Sequence, residues 1–224
     1  MRTLAVLFLV VALGVPCAAA GPVKATGSVE LKDAAGDLRP MGSSDGEEPP
    51  LDIVLLKVTG TGNRLTVTVT LKDAPGNFAS DVVRIYLDTD NNPKTGVALV
   101  GGDKPTGFEY QAGLYLCMSY DSGGSACSGG LSGKVTERHG SIELSRFKGT
   151  DNFGEKETVV DNMGFGGRKA SAKVPVQGKT VECWVDYADL KVKPGATIRF
   201  LAVERGGSPK EGDGFFPEVL LTLK

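Results

Sequence analysis

Histidine and tryptophan are almost missing from this chain: His139 and Trp184 stand alone among 224 residues, and each scarcity removes a class of function. A Ser-His-Asp triad needs a histidine next to a nucleophilic serine, and no serine here sits in a G-x-S-x-G setting. A zinc centre draws on several His or Cys ligands, more than one histidine and a few cysteines can supply. P-loop and dinucleotide fingerprints are absent too. Gly101-Gly102-Asp103 and Gly164-Phe165-Gly166-Gly167-Arg168 lack the strand-to-helix context of phosphate-binding loops and read as turns. Charge of one sign is also lacking, with 25 Lys and Arg against 27 Asp and Glu, so nucleic acid is not an expected partner. Sustained 3.6-residue apolar periodicity is missing throughout. Only Tyr187-Ala188-Asp189-Leu190 reads as a single helical turn.

The N-terminus holds the one long apolar run. Arg2, then Leu4 to Val15, then Cys17-Ala18-Ala19-Ala20 has the layout of a secretory signal peptide. The run is shorter than the roughly 20 residues a membrane span needs, and Gly14 and Pro16 close it. Pro16, immediately before Cys17, argues against lipidation. Residues 1–20 are therefore expected to be removed, leaving 21–224 as one domain that is secreted or periplasmic in a bacterial envelope, with no membrane span. Loss of Arg2 changes the net charge from −2 to −3, that is 24 minus 27.

Export places Cys117, Cys127 and Cys183 in an oxidising compartment. Cys117 and Cys127 flank the flexible stretch Asp121-Ser122-Gly123-Gly124-Ser125, which predicts a disulfide between them contributing about 2–3 kcal/mol. Cys183, within Val181-Glu182-Cys183-Trp184-Val185, is left as a buried, inert thiol.

Strand signals dominate the remainder. Leu65 to Leu71 alternates strictly, with Leu65, Val67, Val69 and Leu71 on one face and threonines on the other. Similar runs cover Asp52 to Val58, Val82 to Asp88, Phe108 to Cys117, Val135 to Leu144, Ala170 to Val176, Thr180 to Val185, Thr197 to Val203 and Val219 to Leu223. Short strands separated by turn residues, in a chain with 31 glycines, predict an all-β, two-sheet antiparallel β-sandwich of jelly-roll or immunoglobulin-like type. The polar stretch Met41 to Pro50 reads as a surface loop.

The densest polar motif is Asp88-Thr89-Asp90-Asn91-Asn92-Pro93-Lys94-Thr95-Gly96, directly after an apolar strand. Alternate Asp and Asn on a tight loop can aim several oxygens at one calcium ion. It is not an EF-hand, because Pro93 and Leu99 stand where that loop needs glycine and glutamate. Taken alone it reads as a plain hairpin turn, which uses the same residues. A second acidic element, Asp33-Ala34-Ala35-Gly36-Asp37, precedes Leu51-Asp52-Ile53.

In combination these segments carry a resemblance. The early D-x-x-G-D, the D-I strand start, the Y-x-D-T-D-N-N-P-x-T-G ending of a strand and Gly107-Phe108-Glu109-Tyr110 resemble the exported β-sandwich domains related to carbohydrate-binding module family 9 and the DOMON-like group. Val181 to Leu190, Lys193-Pro194-Gly195-Ala196-Thr197 and Asp213 to Pro217 extend it, whereas Ser119 to Asn162 matches nothing in that family. The resemblance implies a structural calcium ion, with Asp33, Asp37, Asp88, Asp90, Asn92 and Glu109 as the pool of ligands. Asp52 and Asp213 are weaker members, each able to cap a strand or pair with a lysine.

Sugar-binding members of this group stack aromatic rings on the ligand, usually tryptophan. Here Trp184 lies on a strand that reads as core-forming, which leaves the tyrosines, with Tyr110 and Tyr120 the candidates for ligand contact. Redox members hold haem with Met or His; His139 with Met118 or Met163 would be the set, but His139 stands beside Gly140 and reads as a solvated turn residue. The resulting expectation is a monomeric binding or accessory module for a glycan or envelope protein, not an enzyme. The alternative is a carboxylate-based hydrolase, since sequence spacing does not reveal which of 27 acidic residues face each other.

Overall fold

The computed structural model describes residues 22–33, 38–39, 41–43, 46–48, 51–76, 80–97, 107–123, 125–127, 133–149, 155–160, 173–204, 208–209 and 216–224. The first half of the chain contributes β1 (Val23–Thr26), β2 (Ser28–Lys32), β3 (Leu38–Arg39), β4 (Met41–Ser43), β5 (Gly46–Glu48), β6 (Ile53–Thr61), β7 (Arg64–Leu71) and β8 (Ser80–Asp88). The second half contributes β9 (Tyr110–Tyr120), β10 (Ser125–Ala126), β11 (Val135–Phe147), β12 (Lys156–Val160), β13 (Val174–Pro175), β14 (Thr180–Asp186), α1 (Tyr187–Leu190), β15 (Thr197–Glu204), β16 (Ser208–Pro209) and β17 (Val219–Thr222).

Strand β7 shows why these residues fold as they do. Its alternation puts Leu65, Val67, Val69 and Leu71 at 0–1% exposure, while Thr66, Thr68 and Thr70 face outward. The turn joining it to β6 is Gly62-Asn63, with φ of 62° and 63°, and Thr61 pairs with Arg64 across it. Two successive positive φ angles match the right-handed twist of the flanking strands, and glycine and asparagine accept them at least cost.

The main sheet runs β12-β11-β9-β8-β15-β17-β1-β2-β6-β7-β14. All of its adjacent pairs are antiparallel except β1 with β17, where Val23 to Thr26 align with Val219 to Thr222. The path divides between β1 and β2, which share the single pair Thr26–Ser28 around Gly27, into two layers that fold over one core, an all-β sandwich without barrel closure. The core draws Leu56, Val58, Val67, Val69, Val181 and Cys183 from one layer and Ile85, Leu87, Leu114, Ile142, Phe200 and Leu221 from the other. The far edges meet by packing: a Cβ added at Gly140 of β11 would fall inside contact distance of the Glu182 carbonyl oxygen of β14.

The stretch Met41 to Pro50, expected to be a surface loop, instead contains the hairpin β4–β5, in which Ser43 pairs with Gly46. Its polar composition concealed the pairing. His139 is not a turn residue either. It lies within β11 opposite Cys117 and is fully buried, because the strand runs through Gly140 to Phe147. Trp184 is half-buried on the outer face of β14, with the Arg64 guanidinium 4.8 Å above its ring, while its neighbours Cys183 and Val185 point into the core. Cys117 and Cys127 are bonded, with Cα atoms 4.1 Å apart, and β10 pairs with β9 inside the closed loop. Cys183 remains a fully buried thiol whose pKa burial pushes up to about 12.

Candidate functional site

At the end of β8 the chain passes from an apolar strand into the acidic loop. Asp88 pairs in register with Arg199 of β15, and Glu109 immediately precedes β9, so the sheet brings Asp88, Asp90 and Glu109 together although 21 positions separate the first from the last. One oxygen of each lies within 4.8 Å of the others. Asp88 has no solvent exposure, Glu109 is half-buried and Asp90 is exposed.

The loop conformation is held by its own polar atoms. The Asn92 amide donates to Asp90 Oδ1 at 2.9 Å and to Asp88 Oδ1 at 3.3 Å. Thr95 donates its hydroxyl toward Glu109 Oε1 at 2.7 Å and lies 3.1 Å from Asp90 Oδ1. The Thr89 amide donates to Glu109 Oε2 at 2.8 Å. Gly107 closes the site from beneath: its φ is 85°, and a Cβ there would stand 2.6 Å from the Asn92 carbonyl oxygen and 2.7 Å from Arg199 Nη2. Only glycine leaves that space open.

Burial is the largest influence on the Asp88 carboxyl and pushes its pKa up, against the hydrogen bond and charge of Arg199 and the loop amides, which pull it down. Burial also raises Glu109, opposed by Thr89 and Thr95 and reinforced by the charges of Asp88 and Asp90. Crowded, partly desolvated carboxylates gain from a nearby cation. With carboxylates, hydroxyls and backbone carbonyls and no His or Cys, the donor set suits a hard cation such as calcium and not a soft metal. This is a group that could hold a metal ion.

Other members of the sequence pool lie elsewhere. Asp33 follows β2 at the opposite end of the sandwich, where its amide donates to the Val54 carbonyl at 3.2 Å. It cannot join Asp88, because β2 runs from Ser28, at the Asp88 end of the sheet, to Lys32 at the other, with β15, β17 and β1 between β8 and β2. Asp52 is buried at Asp33's end, 3.7 Å from Lys72 Nζ, and Glu204 accepts there from the Ile53 amide at 2.7 Å. Asn92 is in the loop, but its side-chain oxygen accepts from the Lys94 amide at 3.1 Å. Asp37, Asp213 and Met163 fall outside the described residues.

Tyr110 does not present a ligand surface: it is 3% exposed, pairs with Leu87 and belongs to the main core, because it falls on the inward phase of β9. Tyr120 is half-buried at the far end of the same strand. His139 shares a face with its cross-strand partner Cys117, whereas Met118, next along β9, points to the opposite face, so the two cannot ligate one haem.

The outer face of β8, β9 and β11 carries a second polar group. Arg84, Gly113 and Glu143 stand in cross-strand register, as do Asp81, Tyr115 and Ser141. The Tyr115 ring lies over Gly113 and its hydroxyl donates to Glu143 Oε2 at 3.2 Å, while Arg84 Nε donates to Asp81 Oδ2 at 2.7 Å. Burial, with Asp81 and Glu143, raises the Tyr115 pKa. Neither the Arg199 contact nor this polar face was legible in the sequence. Both consist of outward positions on strands, unrelated in sequence until the sheet assembles them.

Among the described residues no helix is long and apolar enough to cross a membrane. Compared with known proteins, the chain matches no family model, no curated protein and no solved structure.

Proposed function

We propose that this chain is an exported, calcium-stabilised β-sandwich that serves as a binding or accessory module for a glycan or another component of the cell envelope. The observation that carries the calcium reading is the convergence of Asp88, Asp90 and Glu109 within 4.8 Å around a loop with no histidine or cysteine among the described residues. Asp88 and Asp90 with Glu109 would hold the ion, which supplies charge neutralisation and fixes the loop between β8 and β9. The glycan reading takes support from the outer face of β8, β9 and β11. Charges there come in both signs, which suits a neutral polyhydroxylated ligand, although the Tyr115 ring itself is buried and its hydroxyl and Arg84 are engaged with Glu143 and Asp81.

Melting curves in metal-stripped buffer, with and without added calcium, test this reading. An ion that binds only the folded state stabilises by about 2.7 kcal/mol at a hundredfold excess over Kd. Calcium should raise the melting temperature of the wild type, and Asp90→Ala should remove most of that rise. Asp121→Ala, in the disulfide-closed loop, should keep it. A wild-type curve indifferent to calcium would refute the calcium reading, and a glycan array screened with the same protein tests the partner class separately.

A further inference from the structure

We propose that Arg199 is a built-in cation of the Asp88 site and an antagonist of the metal ion: its guanidinium neutralises Asp88 in the metal-free protein, and calcium binds against it. This rests on the calcium reading above and adds the device that sets how tightly the ion is held.

The geometry is specific. Arg199 approaches from the adjacent strand and places Nε at 2.9 Å and Nη2 at 2.8 Å from the same oxygen, Asp88 Oδ2. The other oxygen, Oδ1, faces the loop and accepts from the Asn92 amide at 3.3 Å, and the Asn91 amide also hydrogen-bonds the Asp88 carboxylate. Asp88 is thus divided, one oxygen to a guanidinium and one toward Asp90 and Glu109. A carboxylate with no solvent exposure needs a partner, because an uncompensated buried charge is strongly unfavourable. Arg199 provides that partner when no ion does.

The guanidinium is also confined. Its carbon lies 4.9 Å over the Phe108 ring, Nη1 is 3.7 Å from Glu218 Oε2, and the backbone at Gly107 passes close to Nη2. Its charge therefore stays beside any cation that binds. Three carboxylates and one guanidinium sum to −2, the charge a single calcium ion balances, whereas the carboxylates alone would present −3. Like charges a few ångströms apart in a partly desolvated site repel appreciably, and ligand charge count is how oxygen-based calcium sites set their affinity. Glu218 offers the guanidinium a second acceptor when Asp88 turns toward the ion.

Calcium titration calorimetry and melting curves on the wild type, Arg199→Met and Arg199→Lys test the inference, with all three proteins purified in calcium and then stripped. Arg199→Met should bind calcium on the order of tenfold more tightly. It should melt below the wild type in chelator and show a larger calcium-induced rise. Arg199→Lys keeps the charge and loses the two-point contact, so its affinity should stay within about threefold of the wild type. If calcium stabilises the wild type but binds Arg199→Met equally or more weakly, Arg199 positions Asp88 for the metal and the antagonism is refuted. Should Arg199→Met fold in neither condition, Arg199→Lys decides, and a large loss of affinity there overturns the proposal. A calcium response absent from the wild type and gained by Arg199→Met would remove the calcium-stabilised reading yet uphold this one. No response in any of the three overturns both.

Discussion

Gly140 is where closure of the sandwich can be tested with one methyl group. It lies on the inward phase of β11, pairs with Leu116, and faces the β14 backbone. A Cβ there would sit inside contact distance of the Glu182 carbonyl oxygen, 3.0 Å from its carbonyl carbon and 3.1 Å from its amide nitrogen. All three are backbone atoms, tied into the β7–β14 ladder through Glu182 and Thr68, so no side chain can swing aside. The two layers must separate locally instead, loosening Val181 and Cys183, which are fully buried on either side. Overpacking typically costs 1–3 kcal/mol, and a backbone obstacle belongs at the upper end, so Gly140→Ala should lose about 3 kcal/mol. For a chain of this size that corresponds to a melting temperature lower by roughly 6–12 °C. Gly149→Ala is the matched control, since no described residue stands within 4 Å of its Cβ and its φ is in the ordinary range; it should be neutral or gain about 0.4–1 kcal/mol. Urea midpoints and thermal melts of both variants check this. Gly140→Ala within about 0.5 kcal/mol of the wild type would mean that β11 and β14 are not in backbone contact.

The features of the fold that could be read from sequence were those written in consecutive residues. The period-2 pattern of Leu65 to Leu71 fixed both the strand and its buried face, and the single turn at Tyr187–Leu190 forms where its isolated periodicity suggested. Cys117 and Cys127 pair across their glycine-containing loop. Strands β1, β2 and β12 were missed. Val23–Thr26 and Ser28–Lys32 alternate charged and apolar residues too briefly to stand out, and they become strands through long-range pairing, β1 with β17 and β2 with β6. Of the site, Asp88 and Asp90 could be read because they share one loop, and Glu109 because it sits in a motif beside them in the family resemblance. Arg199 could not, since its contact with Asp88 spans 111 positions and exists only because β15 pairs with β8. Asp33 shows the converse: a residue of a second acidic motif, which the strand order carries to the other end of the sheet from Asp88.

Two further outcomes follow from burial. Val67→Asp places an unpaired charge at a position 1% exposed and should cost more than about 4 kcal/mol. Thr68→Lys, on the outward phase opposite Glu182, should stay within about 1 kcal/mol, and equal urea midpoints for the two would contradict the facing of β7. The other outcome concerns acid. His139 is fully buried and neither ring nitrogen hydrogen-bonds a described residue; burial lowers its pKa, Lys173 lowers it further, and Glu137 opposes them. In the unfolded chain the imidazole titrates near the usual value of about 6.5. As the pH falls below that value the unfolded state takes up a proton that the folded state refuses, so stability declines, by up to about 1.4 kcal/mol per pH unit, until the lower folded pKa is reached. His139→Leu removes this decline. Asp88 and Glu109, whose folded pKa values are raised, contribute with the opposite sign, becoming more favourable to folding as acid is added, but they do so equally in both proteins. The difference in unfolding free energy between wild type and His139→Leu, followed from pH 7.5 to 5, should therefore move in favour of the variant as the pH drops. A difference that stays flat across that range would show that His139 is protonated as readily in the folded chain as in the unfolded one, and that its burial within β11 is not what the strand register implies.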